Sequence, residues 1–598
     1  MALPIHKPHR RLPLLPRSSR ATSRDVPQAS GWRLDVATHE RSPFRSVKPL
    51  VAATALAMIL AAGTAHAQSQ GSSQPQSSSR SRYVQPYIEL TQLIDADLTN
   101  DDVVTYSQVA VGIDAGITGR RAEGQISYRY ERRIQWDDRI ADDDVHTGLA
   151  RASVTVAPGF ALEGGAVATR SRVDIRGAAP GNLVGNVDNI TQVYSVYAGP
   201  SVRTSAGPVQ IAASAFAGYT KVESPGSTGV GPGEQRLDYF DDSKNVVAQA
   251  SAGVAAGTVL PVGVSVSGAY ERDEAGQLDQ KYEGYFARGD VTLPVSRTVA
   301  LRAGAGYEKI EATQRDALVN ATGNPVVDGN GRFVTDPASP QRIAYNTDGL
   351  IYDAGVIWRP SSRLELQANA GYRYGGETYF GSLNWNMARD TGVQVIVYDG
   401  IETFGRQLRD GLRDTPTSFQ GSANPFGQQF NGCIFGGNPG GGSAVGGGSG
   451  AGGCLNDVFQ SISTASYRAR GIDGVISTTR GRTAYGVGAG YANRKLNTPQ
   501  LAPGTVAYGV TDESYYAQLF WSRALSRVSQ VDANVFGNYY ESGLPGANGV
   551  FNLSATGTYS HQFGRLGTIA SLGVYTFDQE GFDSQWSAQA LLGARYTF

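Results

Sequence analysis

The last thirteen residues read WSAQALLGARYTF (586–598). Trp586, Ala588, Ala590, Leu592, Ala594, Tyr596 and Phe598 fall on every second position, and Ser587, Gln589, Gly593, Arg595 and Thr597 lie between them. A two-residue period is the signature of a β-strand with two unlike faces. One face here is apolar from end to end and carries aromatics at both ends. Most chains finish in a frayed polar tail, whereas this one keeps its pattern to a terminal Phe. Such a strand fits either a soluble sandwich or a sheet whose outer face meets hydrocarbon.

The same pattern recurs from Tyr83 onward. In AEGQISYRYERRIQW (122–136), Ile126, Tyr128, Tyr130, Ile134 and Trp136 share one face, against Glu123, Gln125, Arg129, Glu131 and Arg133 on the other. LELQANAGYRY (364–374), FNLSATGTYSH (551–561) and the stretch around Val531–Tyr539 repeat it. The connections are sorted by length. Short turns fall at 119–121, 157–159, 204–207, 260–263, 294–297, 359–363, 388–391, 481–482, 524–527 and 563–565. Between them lie mostly longer polar segments: 137–145, 176–189, 224–244, 314–343, 402–469, 494–503, 541–550 and 578–584. Short turns on one side and long loops on the other are the layout of a membrane barrel, and a sandwich has no reason to adopt it. The expected fold is therefore all-β: a transmembrane antiparallel up-and-down barrel of about 22 strands (range 18–22), occupying 83–598. Both termini lie on the short-turn side. The pattern is weakest at 245–290 and 457–480.

The front of the chain agrees with export. Lys48 precedes the apolar run Leu50–Ala62, and Ala65-His66-Ala67 forms an A-x-A cleavage site; this reads as a signal peptide over 47–67. The run is shorter than the ~20 residues a spanning helix needs. Residues 1–46 carry Arg and Pro without apolar periodicity and read as a non-native or extended segment, with Val47 as the expected start. Residues 68–82 read as a disordered polar linker. Residues 1–67 hold ten Lys or Arg and three Asp or Glu, so the remainder has 42 basic and 50 acidic residues, a net charge of about −8. That balance excludes a nucleic-acid binder.

Chemistry-bearing residues are few. Beyond Ala67 the only histidines are His146 and His561; neither sits in a nucleophile motif, although Ser153 and Ser560 lie near them in sequence. No enzyme activity, cofactor or metal is expected. The acidic run at Asp137, Asp138, Asp142, Asp143 and Asp144 lacks calcium-loop spacing and reads as a solvated tip. Cys433 and Cys454 are the only cysteines, and in an exported chain they read as a disulfide, with metal binding the alternative. They enclose the Gly-rich 435–453, which has no phosphate-loop Lys and reads as flexible linker. Alternation places Asp114, Glu123, Arg129, Glu131, Arg133, Arg151, Glu163, Arg302, Glu308, Asp353, Glu365, Arg373 and Asp532 on the inward face. There they either line a polar lumen or satisfy one another within the wall. Most aromatics fall on the outward face. A barrel of ~22 strands leaves space that needs a plug, and 402–469, a long Gly-rich extracellular loop, is expected to cap or enter the lumen.

VIWRPSSRLELQANAGYRYGGETYFGSLNW (356–385), ISYRYERRIQWDD (126–138) and YYAQLFWSRALSRVSQVDANVFGNYY (515–540) resemble the Gram-negative β-barrel porin 2 family and the related exopolysaccharide- and exosortase-associated barrels. The resemblance runs over most of 83–598; the Gly-rich insert with its two cysteines departs from it. It implies an integral outer-membrane barrel, some of whose relatives serve polysaccharide production or export. The terminal Tyr596 and Phe598 resemble the signal read by the outer-membrane assembly machinery. The expected role is a porin-like channel for hydrophilic solutes. The alternatives are an outer-membrane component of exopolysaccharide secretion, working with polysaccharide-export proteins, and a non-conducting surface barrel. Outer-membrane lipid and lipopolysaccharide are the expected surroundings.

Overall fold

The computed structural model describes residues 81–598 apart from 101, 137–142, 178–188, 224–236, 389, 415–416, 418–461, 463–464 and 501–508. Residues 1–80, with the signal segment and its Ala65 and Ala67, lie outside the described residues, as do Cys433, Cys454, Asp137, Asp138 and Asp142.

Twenty-two strands follow in order. The first eleven are β1 (Ser81–Asp97), β2 (Asp102–Thr118), β3 (Ala122–Gln135), β4 (Asp143–Ala157), β5 (Phe160–Arg172), β6 (Ile190–Ala206), β7 (Val209–Val222), β8 (Asp242–Val254), β9 (Gly263–Ala275), β10 (Gln280–Pro294) and β11 (Val299–Gln314). Then come β12 (Arg342–Ser361), β13 (Leu364–Arg373), β14 (Gly376–Ala388), β15 (Thr391–Glu402), β16 (Ser466–Arg480), β17 (Thr483–Asn497), β18 (Thr511–Ala524), β19 (Ser529–Glu541), β20 (Val550–Phe563), β21 (Leu566–Gln579) and β22 (Gln585–Thr597). Each pairs antiparallel with its sequence neighbours, and β22 pairs with β1 from Tyr87↔Thr597 to Asp97↔Ser587. The terminal stretch is thus the closing strand, and no edge is left unpaired.

All ten short turns fall where the sequence places them, on one rim. The β8–β9 connection is longer than expected, running 255–262. On the other rim three connections are short: 98–101, 276–279 and 374–375. The last is a two-residue hairpin with Tyr374 and Gly375 both at positive φ (56° and 71°), the geometry a tight hairpin demands. The β17–β18 loop starts at 498 rather than 494, because β17 extends to Asn497. The linker ends earlier than expected, since β1 starts at Ser81.

Outward side chains form a continuous apolar belt, including Ile88, Leu90, Val109, Leu519, Leu572 and Leu592, all exposed. Aromatics bracket it: Trp358, Trp521, Tyr559 and Tyr596 towards the turn rim, Trp136, Tyr379, Tyr515 and Trp586 towards the loop rim. Trp586 and Tyr596 sit roughly 33 Å apart along β22 at the strand rise, or about 25 Å across a layer once ordinary barrel tilt is allowed for.

One element departs from the expected loop. Residues Phe404–Asp414 form a helix, α1. Phe404, Leu408 and Leu412 recur at four-residue spacing and make one apolar face.

Candidate functional site: the inner wall and its loop-side closure

Each of the thirteen predicted inward residues lies on the face opposite the exposed apolar belt, and most are paired. The largest cluster crosses the barrel closure. Arg595 on β22 bonds Glu89 on β1 (2.9 Å), Arg129 on β3 bonds the other Glu89 oxygen (2.7 Å), and Glu131 lies between Arg129 and Arg133, the latter at 2.5 Å. Glu131 is 2 % exposed. Carboxylates buried this deeply remain charged only with such partners.

A second group joins Arg288 to Asp290 (2.6 Å) and Asp353 (2.9 Å), with Arg302 on the same Asp290 (3.1 Å). Glu308 holds Arg373 (2.5 Å), and Arg359 reaches Glu365 (2.7 Å) nearer the turn rim. Glu163 accepts a bond from Ser201, and Asp532 one from Gln530. Asp114 is half-buried and Glu123 exposed.

Sequence reasoning missed half of this network. Glu89 and Arg595 obey the same alternation, between Ile88 and Leu90 and between Ala594 and Tyr596, and were legible. Arg494 and Asp512, each 1 % exposed and 2.6 Å apart, sit at strand ends where the pattern fades. Asp399, with Arg468 (2.7 Å) and Arg470 (3.2 Å), does so too.

Most aromatics do face outward, but the inner wall carries some as well. Tyr87, Tyr106, Tyr197, Tyr282, Tyr467 and Tyr540 are buried on the inner side. Arginines stack on five of them: Arg595 on Tyr87, Arg133 on Tyr106, Arg151 on Tyr197, Arg406 on Tyr282 and Arg494 on Tyr467. A tyrosine tolerates a polar lumen because its ring can carry a guanidinium.

The interior is filled unevenly. Near the loop rim inward residues are buried: Ser243, Asn245 and Val247 on β8, Asp512, Ser514 and Tyr516 on β18. Nearer the turn rim several are exposed or half-exposed, Gln249 and Ser251 on β8 and Gln530, Asp532 and Asn534 on β19, although Gln518, Thr558 and Ser571 stay buried.

Two things fill the loop half. The first is α1, which lies on the inner face of β5–β8. Leu412 packs among Leu149, Val167, Tyr197, Phe216 and Val247, while Phe404 and Leu408 meet Val193, Val222 and Phe240. Polar contacts fix its flank: Thr403 donates to Asp273 (2.5 Å), Arg409 to Asn245 (3.1 Å), and the Arg151 guanidinium to the Arg413 carbonyl (2.9 Å). Arg406 pairs with Glu271 (2.9 Å). Burial opposes its charge, but Glu271 and Glu402 hold its pKa well above the usual guanidinium value.

The second is the loops themselves. Leu237, in the β7–β8 connection, packs against Tyr467, Leu496, Val510 and Leu544, residues at or beside β16–β19 on the far side of the ring. Arg332, from the β11–β12 loop, donates to the carbonyls of Val222 and Phe240 and pairs with Asp241 (3.1 Å). Ile462 joins the same apolar cluster and bonds the Val173 carbonyl. Asp174 and Arg176 are sealed beneath (2.7 Å), where Asp174 keeps Arg176 above its ordinary pKa despite burial. The described parts of 402–469 thus lie within the loop-side closure; most of the insert is outside the described residues.

His146 meets Tyr128 (2.7 Å) and His561 meets Tyr559 (3.2 Å). Ser153 and Ser560 lie an odd number of positions away along the same strands, hence on the opposite face. Asp144 takes bonds from Tyr130 and Arg132.

No family model matches the chain, and no curated protein does. Among solved structures it is similar to the FrpB iron transporter from Neisseria meningitidis (TM-score 0.43, 10% identity, 86% of this chain and 82% of that one). It is also similar to the ferric-catecholate import receptor Fiu from E. coli (0.44, 11%, 86% and 81%) and to OpdQ from Pseudomonas aeruginosa (0.29, 9%, 86% and 98%). Superpositions this loose say nothing about what this chain carries.

Proposed function

We propose that the chain is a channel for hydrophilic solutes in a Gram-negative outer membrane, held shut at its loop rim in this conformation. One observation carries the reading. A closed sheet with an apolar, aromatic-bracketed outer belt encloses a charged inner wall that is open near the turns and sealed near the loops. Only closed barrels satisfy their backbone in hydrocarbon, and a wall of paired charges and amides suits polar solutes rather than lipid. The seal is made of a short helix and loop side chains, which can separate without breaking the ladder.

The inner-wall tyrosines favour a second reading, secretion of a sugar polymer through the same lumen, since aromatic faces stack on sugar rings. This is the role some barrels of the resembling families serve. The five that carry a stacked arginine become available only if it moves.

The test is conductance in a planar bilayer, comparing the intact protein with one in which 403–465 is replaced by a short Asn-Gly-Ser link, which leaves β15 and β16 whole. Large steady steps after deletion, and rare or small ones before, are expected. Absence of steps in both forms contradicts the channel and favours a non-conducting barrel. Block of the deletion form by oligosaccharides but not by salts would favour the second reading.

A further inference from the structure

Every strand has two neighbours, but the ladder between β14 and β15 stops early. β14 runs up to Gly376 and β15 to Glu402, yet their pairing ends at Gly381↔Val397. Residues 376–380 and 398–402 continue without it, about 17 Å of seam at the strand rise. The two-residue hairpin makes Arg373↔Gly376 the bonded pair, so the Glu377 carbonyl points away from β13, towards β15. It lies beyond the last β15 pair. Two side chains from β16 take it instead, Arg468 (2.8 Å) and Arg470 (2.7 Å), both braced on Asp399 of β15. Guanidinium bonds thus stand where ladder bonds would, and a side chain can exchange one acceptor for another. The β4–β5 ladder also ends early, at Gly148↔Ala168, but there the Gln192 amide bonds carbonyls of both strands, His146 and Thr169, and α1 backs β5 from within.

A second observation sets the β14–β15 seam apart. Phe380, the first residue past the last pair, is the register partner of Asn369 and so lies on the inner face, where it is 49 % exposed. Among the described strand residues it is the one large apolar side chain so exposed on the inner wall. Tyr379 beside it is exposed on the outer face, in the loop-side aromatic row. The seam therefore offers apolar surface to the lumen and to the bilayer at the same height.

We propose that this seam is a lateral portal between the lumen and the leaflet on the loop side, and that an amphiphile with an anionic head group crosses it. Arg468 and Arg470 share the outward face with Ile472, just above the aromatic row, and Lys495, the register partner of Arg468, is exposed beside them. These three cations face two carboxylates, Asp399 and Glu377, the latter held by the Tyr379 hydroxyl. Guanidinium forks match phosphate and carboxylate groups. A head group that draws Arg470 from the Glu377 carbonyl loosens the latch, while its apolar chain lies along Tyr379 and Phe380. The inference rests on the membrane reading but not on conduction.

The experiment uses the full protein with Cys433→Ser and Cys454→Ser as background, in phospholipid vesicles doped with a lipid that carries a maleimide on its acyl chain. Phe380→Cys is compared with Gln249→Cys, on the inner wall of β8, and with Leu572→Cys, on the outer belt. Labelling of Leu572→Cys and Phe380→Cys but not of Gln249→Cys is expected. Arg468→Gln with Arg470→Gln should speed it at Phe380→Cys alone. Dodecyl phosphate should slow labelling of Phe380→Cys, and dodecyltrimethylammonium should not. Labelling of Phe380→Cys no faster than that of Gln249→Cys overturns the portal and leaves the channel untouched. Equal slowing by both amphiphiles overturns the anionic head group. No labelling even at Leu572→Cys overturns the membrane placement, and the portal with it.

Discussion

Glu131 shows how much one inward residue can carry. It is buried between Arg129 and Arg133, and its loss takes a carboxylate from both guanidiniums at once. Glu131→Gln is expected to cost ~3–5 kcal/mol, the toll of breaking a buried ion pair from one side, seen as a lower urea midpoint for the refolded barrel. Glu365→Gln tests the contrast. Its partner Arg359 is 58 % exposed, and an exposed pair contributes ~0–1 kcal/mol, so the same measurement should scarcely move. Asp532, in the open half, is expected to act on solutes instead. Asp532→Lys should shift the reversal potential in a KCl gradient towards anion preference without changing stability.

At the scale of elements, α1 and β22 make opposite demands. α1 is held by side-chain contacts alone, an apolar face and a polar flank; β22 is held by backbone ladders on both sides. Leu412→Ala removes a buried side chain worth ~2–5 kcal/mol, which converts to a roughly 30-fold or larger rise in the open fraction where docking closes the lumen. Open probability in single-channel records checks it. Phe598→Ala should lower the yield of assembled barrel, read from heat-modifiable migration, while barrels that do assemble conduct normally. Strand positions are legible because a closed sheet with an apolar outer and a polar inner face forces a strict two-residue period, and β22 displays it to the last residue. The same rule identified Arg129, Glu131 and Arg373 as inward. It misses α1, because FGRQLRDGLRD follows a four-residue period inside a long polar connection. It also failed to foresee inner tyrosines, because alternation reports which face a residue shares and not whether an arginine will cover its ring.

At the scale of the molecule, the barrel is a closed wall with α1 and loop side chains packed inside its loop rim, and the pairing of distant loops is what no sequence period encodes. Leu237 finding Leu496 across the mouth depends on the closure of the ring, not on any local pattern. The claim that α1 docked on the inner wall keeps the lumen shut can be tested in one molecule. A Cβ added to Gly405 would lie 3.5 Å from that of Ser243, within the span of a disulfide. Gly405→Cys with Ser243→Cys, on the Cys433→Ser, Cys454→Ser background, therefore ties the helix to β8. Single-channel current would be recorded before and after a reductant is added. The lumen should be silent while the bond is intact and show steps once it is cut. Full-sized steps with the bond still formed would contradict the closure by α1.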